Sequence, residues 1–115
     1  MQRKNIYIHI GLPKTGTKTI QYGLKSNEFK LKRNGYLCPV AGRVSRRFYS
    51  NHNLSKKLTN RPDYSPEFGS WDDLIEEIDH KGQLDNIILS SEEFSRLPLE
   101  GIKEIRKILA AYNVI

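Results

Sequence analysis

The sequence predicts an α/β domain, a three-layer arrangement of a parallel sheet flanked by helices. Two observations carry that prediction. Asn5-Ile6-Tyr7-Ile8-His9-Ile10 and Asn86-Ile87-Ile88-Leu89-Ser90 are short runs rich in β-branched and aromatic residues, each followed by a loop. Apolar residues between and after them recur at helical spacing, and strands separated by helices pair in parallel. With 115 residues, the chain fits one small domain spanning 1–115.

The elements follow in order. Asn5 to Ile10 reads as a buried strand that stops at Gly11. Pro and two Gly punctuate a loop, Gly11-Leu12-Pro13-Lys14-Thr15-Gly16-Thr17. A helix is expected from about Thr17 to Phe29, with Thr15 or Thr17 as its N-cap and Ile20, Leu24 and Phe29 on its apolar side. Asn34-Gly35 predicts a turn, and Tyr36-Leu37-Cys38-Pro39 a short extended piece. Ala41 to Arg47 reads as a basic loop, Asn51 to Leu58 as a short helix, and Thr59 to Ser70 as a loop. Ser70 is the expected N-cap of the next helix, with Asp73 at the reciprocal capping-box position. Trp71, Leu74, Ile75 and Ile78 form a stripe read as core, and His80-Lys81-Gly82 ends that helix. After the second strand come a loop from Ser91 to Leu97 and a helix from Leu99 to Ala111, with Ile102, Ile105, Ile108 and Leu109 on one side. A further strand begins at Asn113.

Composition narrows the function classes. No apolar run approaches the roughly 18–20 residues that span a bilayer, and the Ile6–Ile10 run is too short for a signal-peptide core. The lone Cys38 excludes an internal disulfide and a cysteine zinc cage. A cytoplasmic protein is the simplest expectation. Residues 1–60 carry 13 Lys/Arg and one acid, whereas residues 61–115 carry 6 Lys/Arg and 12 acids. A basic half favours an anionic partner, although two opposite halves also attract one another.

The loop at 11–19 carries the strongest chemical signal. Between a strand and a helix, backbone N–H groups and the helix N-terminus can cradle an anion, and Lys14 adds a full positive charge. A Walker A loop is a poor match. Gly11 and Gly16 have its spacing, but Thr17 occupies the lysine position and the lysine comes one residue later, at Lys18. One helical residue is about 100° of rotation, so Lys18 would point elsewhere.

Ile8-His9-Ile10-Gly11-Leu12-Pro13-Lys14-Thr15-Gly16-Thr17 resembles the 5′-phosphosulfate-binding loop of sulfotransferases, Pro-Lys-Ser/Thr-Gly-Thr. Tyr36-Leu37-Cys38-Pro39, Asn51-His52-Asn53-Leu54 and Ile88-Leu89-Ser90-Ser91-Glu92-Glu93-Phe94 resemble landmarks of bacterial sulfotransferase-like proteins. The resemblance implies a P-loop-type fold and a nucleotide cosubstrate, 3′-phosphoadenosine 5′-phosphosulfate (PAPS), leaving as 3′-phosphoadenosine 5′-phosphate (PAP), with no metal. It implies an acceptor hydroxyl or amine, on a carbohydrate or a small molecule. Cofactor binding would fall to Pro13, Lys14, Thr15, Gly16, Thr17, Lys18, Thr19 and Ser90. Lys18 departs from the family, where Ser or Thr is usual.

Sulfuryl transfer needs preorganised positive charge at the bridging oxygen, a role for Lys14. The acceptor needs a general base. Glu92 is one candidate, because it follows a strand at its carboxyl end, where open α/β sheets place their sites. His52 is the second. His9, inside its strand, reads as a core or sheet-face histidine, and Ser90 and Ser91 either bind an anion or cap the turn. Arg43, Arg46 and Arg47 line a basic loop that contacts a ligand or faces solvent.

The family's 3′-phosphate contacts come from a later strand and helix, which would begin near Asn113. The expectation is therefore an N-terminal portion, truncated, weak or inactive alone, and open to self-association through an uncovered sheet. The competing readings are a non-catalytic anion- or nucleotide-binding module, a P-loop kinase or NTPase, and a nucleic-acid binder. The aromatics show no interleaved stacking pattern that would favour nucleic acid.

Overall fold

The computed structural model describes residues 3–10, 17–44 and 49–115. Four parallel strands form one sheet in the order β2-β3-β1-β4. They are β1 (Asn5–His9), β2 (Tyr36–Leu37), β3 (Asn86–Ser90) and β4 (Asn113–Val114). The helices are α1 (Thr17–Ser26), α2 (Glu28–Arg33), α3 (His52–Leu58), α4 (Trp71–His80) and α5 (Leu99–Ile108). Short 3-10 turns occupy Pro66–Phe68 and Glu92–Arg96. The predicted α/β class and parallel sheet are present. Among the described residues, no helix is long and apolar enough to cross a membrane.

The central pair is β1 with β3, in register from Asn5 opposite Asn86 to His9 opposite Ser90. Side chains alternate across a strand. Ile6, Ile87 and Leu89, with Leu37 of β2, therefore face one side and are buried there. Against them pack Leu54 and Leu58 of α3, Trp71, Leu74 and Ile78 of α4, and Ile105 and Leu109 at the end of α5. Burying such side chains supplies the main stabilisation, roughly 1.5–3 kcal/mol each. The Trp71 indole N–H is satisfied by the Leu54 carbonyl at 3.0 Å, so the ring is buried with its polar edge paired.

α4 begins as its sequence predicts. The Ser70 side chain accepts from the Asp73 N–H, and the Asp73 carboxylate accepts from the Ser70 N–H. Its other end is held from a distance. Lys4 Nζ donates to the carbonyls of Lys81 (3.4 Å), Gly82 (3.1 Å) and Leu84 (2.9 Å), at the cap and in the turn just past the helix.

Three expectations need correction. The helix expected over Thr17–Phe29 breaks at Asn27, whose backbone and side-chain N–H groups both reach the Gly23 carbonyl (3.0 and 2.8 Å) and end α1. Among the described side chains of α1 the buried one is polar: Gln21 is 1% exposed, whereas Ile20 is 48% exposed, and Phe29 beyond the helix is 83% exposed. In α5, Ile102 is exposed while Ile105 and Leu109 enter the core.

A close crossing ties the middle of the chain together. The Gly42 N–H donates to the Phe68 carbonyl at 2.6 Å. Gly69 has φ +103°, and a Cβ there would lie 2.6 Å from Gly42 N and 2.8 Å from Ala41 Cα. Only glycine allows two backbones to approach so closely in that conformation.

Candidate functional site

The carboxyl ends of β1 and β3 lie side by side, since His9 is opposite Ser90 and the Ser91 N–H continues the pairing to the His9 carbonyl at 3.1 Å. The helices that follow these strands pack on opposite faces. α5 contributes Ile105 to the Ile87/Leu89 side. α1 sends Gln21 Nε2 to Ser90 Oγ at 3.2 Å, on the side that alternation assigns to Ser90. Adjacent parallel strands whose connections diverge in this way leave a crevice at their carboxyl ends, where ligands bind in open α/β sheets.

A polar cluster fills that end of the sheet. His9 Nδ1 lies 2.8 Å from Ser90 Oγ. Burial lowers the His9 pKa from its usual range, favouring the neutral ring. Asn51 is fully buried and bridges several segments. Its N–H donates to the Ser90 carbonyl (2.6 Å), its Oδ1 accepts from the Ser90 N–H (3.0 Å), and its Nδ2 donates to the Ala41 carbonyl (2.8 Å). Just before it, the Tyr49 N–H donates to the Gln21 carbonyl at 3.0 Å, and the Tyr49 hydroxyl donates to the Ile88 carbonyl. The segment at 49–51 thus joins α1 to β3. Between them Ser50 is fully buried, and its hydroxyl has no partner among the described residues.

The next residue, Ser91, organises the α3 side. Its hydroxyl lies 2.7 Å from His52 Nδ1 and 2.8 Å from Ser55 Oγ, and it accepts from the Glu93 N–H at 3.3 Å. Ser91 therefore caps the 3-10 turn, as one of its two sequence readings had it. Of the acidic pair, Glu93 is the structural member. Its Oε1 takes Arg61 Nη1 at 2.6 Å, and its Oε2 is a buried atom with no partner among the described residues. Glu92 is half-buried, with its backbone carbonyl accepting Ser95 Oγ at 2.7 Å.

The candidate residues divide accordingly. His52, Glu92 and Ser90 gather at the carboxyl end of β3. Ser90 Oγ is committed to His9 and Gln21 rather than left open as an anion donor. Thr19 is exposed on α1. Pro13, Lys14, Thr15 and Gly16 lie outside the described residues, as do Arg46, Arg47 and the side chains of Thr17 and Lys18. Arg43 is drawn away from any ligand. It reaches Glu28 and the Cys38 carbonyl (both 2.5 Å) and stacks 4.7 Å from the Tyr49 ring centroid. Among the described residues no group of His, Cys, Asp and Glu could hold a metal ion.

Sequence reasoning missed Gln21, Asn51 as a cross-brace, and Ser55. Gln21 carried a faint signal as a polar residue beside the apolar positions of a helix. Asn51 and Ser55 carried none, because their partners lie 39 and 36 residues away. No family model, curated protein or solved structure matches the chain.

Proposed function

We propose that this domain is of the sulfotransferase type. It would move a sulfuryl group from 3′-phosphoadenosine 5′-phosphosulfate to a hydroxyl or amine of a carbohydrate or small molecule. The reading rests above all on Pro13-Lys14-Thr15-Gly16-Thr17, which forms part of the connection from β1 to α1. That connection leaves the strand pair where the following helices diverge, and the first 60 residues supply 13 of the 19 Lys and Arg. Both features suit a polyanionic cosubstrate.

Lys14 would stabilise charge on the bridging oxygen as the sulfur–oxygen bond to the 5′-phosphate breaks. The acceptor oxygen forms the new bond to sulfur, and its proton passes to a base, His52 or Glu92. The products are a sulfate ester, or a sulfamate from an amine, and 3′-phosphoadenosine 5′-phosphate. The test is calorimetric titration with 3′-phosphoadenosine 5′-phosphate without magnesium, on wild type and on Lys14→Ala, after circular dichroism shows both folded. Binding that the substitution abolishes supports the reading, and a folded wild type without affinity overturns it for this chain.

A further inference from the structure

Two buried side-chain atoms have no hydrogen-bond partner among the described residues, Ser50 Oγ and Glu93 Oε2. Glu93 uses its other oxygen to hold Arg61. Of the two, only Ser50 makes no side-chain bond at all among the described residues. It is fully buried, so its hydroxyl has given up water without a replacement, which weakens the fold. The polar groups flanking it are spent on one another. The Tyr49 N–H goes to the Gln21 carbonyl at 3.0 Å, and the Asn51 N–H to the Ser90 carbonyl at 2.6 Å. The Ser90 hydroxyl takes Gln21 Nε2 at 3.2 Å and lies 2.8 Å from His9 Nδ1. The Asn51 side chain closes on the Ser90 N–H and the Ala41 carbonyl. Ser50 is thus held between α1 and the carboxyl end of β3 with its one proton unspent.

The surroundings favour a negative partner for that proton. α1 has no acidic residue in its first turn, so its amino end keeps its partial positive charge. The connection from β1 to α1, with Lys14 in it, leaves the same pair of strand ends. We propose that Ser50 is a ligand-binding hydroxyl that donates to an anionic oxygen of the phosphosulfate group in the crevice between β1 and β3. The inference rests on the sulfotransferase reading and adds to its site a residue from outside the loop motif. A donor fixed in advance needs no rearrangement when the anion arrives. It also makes stability and binding respond oppositely to substitution. Removing the hydroxyl relieves the empty protein and weakens the filled one.

The test compares Ser50→Ala with wild type, by urea unfolding without ligand and by calorimetric titration without magnesium. The titrants are 3′-phosphoadenosine 5′-phosphosulfate, 3′-phosphoadenosine 5′-phosphate, inorganic sulfate and inorganic phosphate. The expected variant has a urea midpoint at or above that of wild type and binds the nucleotide about tenfold more weakly, or worse. A loss with the phosphosulfate alone places the hydroxyl at the sulfuryl oxygens, and a loss with both nucleotides places it at a phosphate. A lower midpoint, or a variant that does not fold, reveals a structural bond and overturns the proposal. Unchanged affinity for every anion that wild type binds also overturns it, and leaves the sulfotransferase reading standing where the nucleotides bind. A wild type that binds inorganic sulfate or phosphate but neither nucleotide overturns that reading, while weaker binding of the ion by Ser50→Ala still supports the donor. No affinity for any of the four overturns both.

Discussion

Asn51 extends the carboxyl end of β3 by imitating a neighbouring strand. It gives its N–H to the Ser90 carbonyl and takes the Ser90 N–H on its side-chain oxygen, at 2.6 and 3.0 Å. A backbone that would leave the sheet with unpaired groups is thus closed by one residue, which also ties in Ala41.

Replacing that side chain leaves the buried Ser90 N–H and Ala41 carbonyl unpaired. Each such loss costs about 1–3 kcal/mol. Asn51→Ala should therefore lower unfolding free energy by about 2–5 kcal/mol in urea titration. A loss below about 1 kcal/mol would show that other groups satisfy these atoms.

Gly69→Ala should be among the most damaging single changes. The new methyl meets Gly42 and Ala41 backbone at a left-handed φ, so neither space nor conformation accommodates it. We expect a loss of about 3 kcal/mol or more. Gly82→Ala, with nothing nearer than 3.7 Å to the new methyl, is the control and should stay within about 1 kcal/mol.

Acid should weaken the Arg43 brace. Burial pushes the Glu28 carboxyl up, but the hydrogen bond and charge of Arg43, with Lys25 beside it, outweigh that and hold it below the usual range. The unfolded chain then binds the proton first, so this contribution is present at neutral pH and is lost as pH falls through the carboxylate range. Arg43→Met should cost about 1–3 kcal/mol at pH 7. It should cost clearly less near pH 3, measured by denaturant unfolding at both values.

Alkali should act through Cys38. Burial, the largest influence, pushes its thiol up to about 11 from 9.0. The unfolded chain releases that proton first, so stability is full below about pH 8.5 and falls as pH rises toward 11. A thiol reagent at pH 8 should react slowly with the native protein and fast in denaturant. Equal rates in both would show that the thiol is not shielded.

The strands, the Ser70 capping box and the α4 stripe were legible because each is written in adjacent residues. β2 was readable only as an extended piece, since two residues give no period. The exposure of Ile20 and burial of Gln21 were not legible. That choice is made by Ser90, which offers α1 a hydroxyl rather than an apolar wall. Glu92 and His52 were the two base candidates in the sequence, but the Ser91 hydroxyl beside His52 Nδ1 comes from 39 residues away, just after β3. The loop motif at 11–17 rests on its sequence pattern, since residues 11–16 lie outside those described.

The pairing scheme also constrains how the protein can be made. Neither β1 nor β2 pairs with the other. Both are joined to β3, while β4 adds to the far side of β1. During synthesis the first two strands therefore emerge without a partner, and no ladder can form until Asn86–Ser90 has left the ribosome. Closing so long a loop is slow, and it leaves the Ile6–Ile8 stretch open to wrong partners meanwhile. β3 is thus the late keystone of the sheet, and Ser90-Ser91, where it ends, is the same dipeptide that bonds His9 and His52.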